Sequence, residues 1–191
     1  MIFTDGISES HLVASLRDGD QQARARLYTE SVGVLSSVCR RYIIDEEDVH
    51  DVLHDSYIRI FTTIGKFDYR GDGSLNAWMS RVVVNEALMF LRRSNRIEST
   101  SLDDERNVVE NLSDDPPEVG RLSADELHML IRKLPDGYRT VLNLFAIEGK
   151  SHKEIAKLLG IKENSSSSQF LRAKVMLTKF IKEYLSKQNE K

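Results

Sequence analysis

Apolar residues recur along most of the chain at spacings of three and four, the mark of amphipathic helices. Residues 8–17 predict a short helix that Asp18-Gly-Asp20 breaks. Asp20 is a predicted N-cap for a longer helix reaching about Tyr42, with Ala23, Leu27, Val34, Leu35 and Val38 inward. Residues 45–64 predict a third helix, 66–73 a loop with two glycines, and 74–93 a fourth helix. Ser123-Ala-Asp-Glu126 is a capping box for a helix to Leu134, and Pro135-Asp-Gly137 precedes another over residues 138–147. A second capping box, Ser151 with Glu154, opens the run Ile155, Ala156, Leu158 and Leu159, which Gly160 ends. The last helix is predicted from Glu163 to near Leu185, with residues 187–191 as a frayed tail.

This pattern is all-α, with two helical domains: an N-terminal bundle over residues 1–94 and a C-terminal domain over 123–191. Residues 95–122 separate them. From Arg96 to Glu118, two arginines face eight carboxylates, a net charge of −6, with Pro116-Pro117 and scattered Ser and Asn. Such a stretch reads as a flexible acidic linker; an irregular loop packed on one domain is the alternative.

Composition narrows the class. A chain of 191 residues with three prolines and 40 % hydrophobic residues suits soluble helical domains. A net charge of −3 excludes a uniformly basic coat but not local basic patches. The single cysteine, Cys39, forms no internal disulfide and fits a reducing compartment. With no signal-peptide pattern and no apolar run near membrane length, the expected place is the cytoplasm, without membrane insertion.

Helix, short Gly-containing turn and helix over residues 151–174 form the sequence pattern of a helix-turn-helix, whose second helix reads duplex DNA; an ordinary helical hairpin has the same outline. On that second helix Phe170, Ala173, Leu177, Phe180, Ile181 and Tyr184 are predicted inward. Ser165, Ser168, Gln169 and Arg172 are predicted outward, as base and phosphate contacts. The four-serine run is poor in charge, so weak autonomous binding is expected. On the fourth helix Ser74, Arg81, Asn85 and Arg92 fall within roughly 40° of one another on a wheel of about 100° per residue. Such a stripe on a mostly apolar helix suits a nucleic-acid strand, with arginines on phosphates and Asn85 on a base edge. The loop before it, Asp68, Tyr69, Arg70, Gly71, Asp72 and onward, can hold an unstacked base, whereas Trp78 reads as core. On the third helix Asp51, His54, Asp55, Ile58 and Thr62 share the polar face, which suits either a basic partner or plain solvation. His50 and His54 stand one turn apart, but without a further ligand the set is incomplete. No metal and no cofactor is expected.

These residues together resemble the extracytoplasmic-function (ECF) group of bacterial sigma factors, two-domain members of the sigma-seventy family. Asp51-Val-Leu-His-Asp-Ser-Tyr-Ile-Arg-Ile-Phe61 is similar to the family segment that docks on the polymerase β′ clamp helices. The segment Phe67-Asp-Tyr-Arg-Gly-Asp-Gly-Ser-Leu-Asn-Ala-Trp78 and its continuation to Arg93 resemble the regions that melt and read the −10 element. Leu134-Pro-Asp-Gly-Tyr-Arg139 through Lys174 resembles the domain that reads the −35 element. The resemblance implies a non-enzymatic initiation subunit with core RNA polymerase (β′ clamp helices and β subunit), promoter DNA and an anti-sigma factor as partners. It places Asp51, His54, Asp55 and Ile58 at the clamp. It places Asp68, Tyr69, Arg70, Gly71, Asp72, Ser74, Arg81, Asn85 and Arg92 at the −10 strand, and Ser165, Ser168, Gln169 and Arg172 in the −35 groove. The linker would thread the RNA exit path. His54 stands where the family usually has Gln, and Ser167 and Gln169 where it has basic residues, so family promoter preferences are not transferred. The alternative is an autonomous helix-turn-helix regulator with an N-terminal dimerisation or sensing domain. The acidic linker and the weakly charged second helix favour the sigma reading, because an autonomous regulator needs its own phosphate grip.

Overall fold

A computed structural model describes residues 8–94, 96–97 and 119–189. Among them are eight α-helices and no strand, in two compact units divided at Phe90/Leu91, inside the fourth helix.

In the first unit, polar caps set where helices begin. Ser8 caps α1 (Glu9–Arg17), Asp20 caps α2 (Gln21–Cys39) and Asp45 caps α3 (Glu46–Thr63), each side chain accepting a backbone N–H of the first turn. Three acids in the first turn of α3 add favourable charge at its positive end. α2 stops three residues short of the expected Tyr42. There the chain turns so that Tyr42 and Ile43 enter the core, 0 % and 1 % exposed. Val34, expected inward, is exposed instead. A 3-10 turn at Ile64–Lys66 leads through the loop to α4 (Ser74–Arg93). Leu12, Leu16, Leu27, Leu35, Val49, Val52, Ile60, Leu75, Met79 and Val83 are buried as the core, each such side chain contributing roughly 1.5–3 kcal/mol. The ion pair Arg59–Glu86, 3.0 Å, ties α3 to α4. Cys39 lies fully buried, and burial pushes its thiol up to about 12, which leaves it unreactive.

In the second unit α5 (Ala124–Arg132), α6 (Asp136–Ala146) and α7 (His152–Leu159) all pack on α8 (Glu163–Asn189). Leu134, Tyr138, Leu142 and Ala173 form one cluster, and Leu130, Ile181 and Leu185 a second. α6 begins two residues earlier than expected, with Pro135 at its N-cap. The buried Arg139 guanidinium closes that corner, donating to the Leu134 carbonyl at 2.6 Å and pairing with Asp136. Burial lowers its pKa, against the pull of Asp136. α8 runs to Asn189, past the expected end near Leu185, and Gln188 donates to Glu126 at 3.0 Å. Glu126 also accepts the Tyr184 hydroxyl at 2.7 Å. The stretch read as linker is structured at its ends: Ile97 is buried, Val119–Arg121 form a 3-10 turn, and Leu122 packs on the second cluster. Its remainder lies outside the described residues.

Candidate nucleic-acid interface

The loop between the 3-10 turn and α4 is built by its own polar groups. Gly71 and Gly73 take φ of 107° and 89°, conformations that side chains beyond Cα resist. The Tyr69 hydroxyl donates to Asp72 at 2.9 Å, which pushes the phenol's pKa up, and Arg70 pairs with Asp68 at 3.0 Å. The Arg70 N–H reaches Ser74 Oγ at 3.2 Å, closing the loop onto α4. Beside it opens a cleft of about 310 Å³ lined by Lys66, Phe67, Asp68, Arg70, Ser74, Ala77, Trp78 and Arg81. Trp78, expected in the core, is only partly buried: its ring packs against Phe67, centroids 5.0 Å apart, and the residue lines the cleft. Arg81, Asn85 and Arg92 are exposed along α4 as its wheel predicted, and Ser74 is half-buried. Cations at the rim, an aromatic ring in the wall and an exposed amide one turn on can hold phosphate, stack a base and read its edge.

On α3, Asp51, His54, Asp55 and Ile58 are all exposed, Ile58 at 51 %. A groove of about 400 Å³ between α2 and α3 is lined in part by Tyr28, Val32, Arg40, His50, Asp51 and His54. Tyr28 packs on the buried Tyr57, whose hydroxyl meets Ser31 at 2.8 Å. Tyr28 itself is 49 % exposed, an aromatic beside the acidic face that sequence reading missed. Its helical spacing from Ala23 and Leu27 gave no sign, since exposure depends on where α3 crosses.

The helix-turn-helix forms as its caps dictate. Ser151 and Glu154 satisfy each other's backbone N–H groups, at 3.3 and 2.8 Å. The two bonds from Ser151 hold the Glu154 carboxyl below the ordinary carboxylate range. Gly160 ends α7 at φ 73°, and the N–H groups of Gly160 and Ile161 both reach the Ala156 carbonyl. His152 stacks on Phe145, centroids 4.7 Å apart, and its Nδ1 meets the buried Ser166 hydroxyl at 3.0 Å, which joins α7 to α8. Ser168 is exposed, and Ser165 and Arg172 are half-buried. Gln169 corrects the expectation: it is 2 % exposed. It precedes the buried Ala173 by four residues, so it falls within about 40° of the inward stripe and not on the outer face. Its neighbours Asn164 and Ser167 are exposed instead. The Gln169 amide leaves both polar atoms buried without a hydrogen bond.

Two residues of α1 bond to the loop before α4 from a distant part of the chain. Glu9, on α1, is 6 % exposed and accepts the N–H groups of Gly73 at 2.7 Å and Leu75 at 2.8 Å, with the Ser74 hydroxyl at 3.4 Å. Arg17, at the other end of α1, donates to the Phe67 carbonyl. Both contacts span 50 or more residues, and no local pattern announces them.

No group of three or more His, Cys, Asp or Glu that could hold a metal, and no helix long and apolar enough to cross a membrane, occurs among the described residues.

The family model for sigma-70 region 2 matches residues 27–97, and that for sigma-70 region 4 matches residues 124–177. The ECF RNA polymerase sigma-E factor of Haemophilus influenzae is 27 % identical over 180 residues, covering 90 % of this chain and 94 % of that protein. The RNA polymerase sigma-H factor of Pseudomonas aeruginosa is 27 % identical over 187 residues, covering 93 % and 95 %. Among solved structures, the sigma factor RpoE in complex with the anti-sigma factor NepR from Bartonella quintana is 16 % identical and covers 83 % of this chain and 96 % of that one, with a TM-score of 0.47. With regions 2 and 4 matched in order, this chain belongs to the sigma-70 family, as a sigma factor of its ECF group.

Proposed function

We propose that this sigma factor divides promoter recognition between its two units and contributes no catalysis of its own. Asp51, His54, Asp55 and Ile58 on α3 dock on the β′ clamp helices. The cleft at residues 67–81, with Asn85 and Arg92, captures a flipped base of the melted −10 strand. Ser165, Ser168 and Arg172 on α8 read the −35 duplex. Residues 1–94 and 123–191 act as the two recognition domains, with residues 95–122 as the linker between them. The place of action is the cytoplasm, and an anti-sigma factor is a further partner in this reading.

The observation that carries it is the half-buried Trp78 in a cleft rimmed by Arg70 and Arg81. Flipping a base out of its stack costs a few kcal/mol. Stacking on an aromatic ring returns roughly 1–3 kcal/mol per base, and phosphate contacts add to it. A helix-turn-helix whose reading face is mostly serine binds weakly alone, and tethering to polymerase raises its effective concentration.

Site-specific photocrosslinking in the assembled holoenzyme tests the division. A crosslinker at position 58 should capture the β′ clamp, one at 85 the non-template −10 strand, and one at 168 the −35 duplex. Crosslinks from position 85 to duplex DNA far from −10, or none from position 58 to the clamp, would overturn it.

A further inference from the structure

Helix α1 precedes the residues matched by region 2, yet it makes polar contacts with both ends of the loop that borders the cleft. We propose that α1 is a brace for base capture, with Glu9 and Arg17 as positioning residues that hold residues 67–75 in the shape that receives the −10 base. The proposal rests on the reading of the cleft given above.

At the far end of the loop, Glu9 is a buried carboxylate met by three donors, the N–H groups of Gly73 and Leu75 and the Ser74 hydroxyl. A buried charge is tolerable only when hydrogen-bonded, so the loop donors and the carboxylate fix one another. The N–H groups it meets lie at the start of α4, where the first donors have no partner within the helix. Glu9 therefore acts as a cap supplied from another helix. At the near end, Arg17 donates to the carbonyl of Phe67, the residue whose ring backs Trp78. Between these two points the loop's own bonds, Tyr69 to Asp72 and the Arg70 N–H to Ser74, are exposed to solvent, so the contacts from α1 supply its long-range ties. α1 is held in turn by Leu12, Val13 and Leu16, all buried. A loop fixed at both ends spares the ordering cost that capture would otherwise incur.

The test uses holoenzyme assembled with each variant and two measurements. One is affinity for core polymerase; the other is affinity for a fluorescent single-stranded oligonucleotide carrying the non-template −10 segment of a promoter selected in vitro with the unaltered holoenzyme. Glu9→Ala should weaken oligonucleotide binding by about tenfold with core affinity unchanged. Glu9→Gln keeps one carbonyl acceptor but turns an NH2 towards the other loop donor, and should restore only part of the loss. Arg17→Met should weaken the oligonucleotide with core affinity again unchanged, and it decides the matter if Glu9→Ala does not assemble. Equal losses in both measurements would reduce α1 to a folding element and overturn the brace. Asn85→Ala serves as the reference. If Asn85→Ala weakens the oligonucleotide while Glu9→Ala and Arg17→Met do not, the brace fails and the cleft reading stands. If none of the three weakens it, both fall.

Discussion

Asp51→Lys and Asp55→Lys, made together, probe the acidic face of α3 with the least disturbance to the fold. Both side chains are exposed, and neither makes a hydrogen bond or ion pair among the described residues. Their loss should therefore move stability by no more than about 0.5 kcal/mol. At a docked interface each carboxylate facing a basic residue is worth up to about 1 kcal/mol near the surface. Reversal replaces that attraction by repulsion of similar size, so both sites together cost about 1–4 kcal/mol. Binding to core polymerase should weaken roughly 5- to 700-fold. Fluorescence anisotropy of labelled protein titrated with core polymerase at 0.1 M salt measures this, with far-UV circular dichroism and a thermal melt as controls. The gap between variant and parent should narrow at 1 M salt, where charges are screened beyond about 3 Å. Unchanged affinity at 0.1 M, with the fold intact, would show the acidic face to be merely solvated.

Asn85→Ala should lower open-complex formation several-fold, read by permanganate footprinting, while −35 duplex binding by the holoenzyme stays constant; equal loss at both steps would point to misfolding. Gly160→Ala should cost about 1 kcal/mol in denaturant unfolding, since φ is 73° but no atom lies within 4 Å of an added Cβ. Gly160→Asn should cost less, and a loss above about 3 kcal/mol for either would mean crowding that the turn does not show. The Glu126 carboxyl is held down to about 2 by the Tyr184 hydroxyl and then by Ser123, against an ordinary 4.5. Its depressed pKa contributes stability above pH 4.5 that is lost as pH falls from 4.5 towards 2. Glu126→Gln should flatten that part of the acid-unfolding profile followed by circular dichroism, and identical profiles would refute the α5–α8 latch.

Local signals carried much of the architecture. Ser8, Asp20, Asp45, Ser123 and Ser151 cap helices because their side chains reach only the next turn, a relation written in adjacent residues. Gly160 ends α7 for the same local reason. Interactions between distant segments left no such trace. Glu9 reads as an ordinary first-turn acid until α4 is brought against it. Trp78, large and apolar, reads as core, yet the course of the loop leaves part of it in the cleft. The error at Gln169 is of another kind: polarity suggested an outward residue where helical periodicity, counted from Ala173, places it inward. Ile58 is the converse case, an apolar residue that periodicity correctly put outside.

Reconstitution addresses the central claim most directly. The pure chain is added to core RNA polymerase, and transcription is assayed on promoter templates selected with the mixture, in parallel with duplex binding by the chain alone. The account predicts a stable complex that starts RNA synthesis at a defined position, and only weak duplex binding without polymerase. No stable complex, together with tight sequence-specific duplex binding by the free protein, would contradict it.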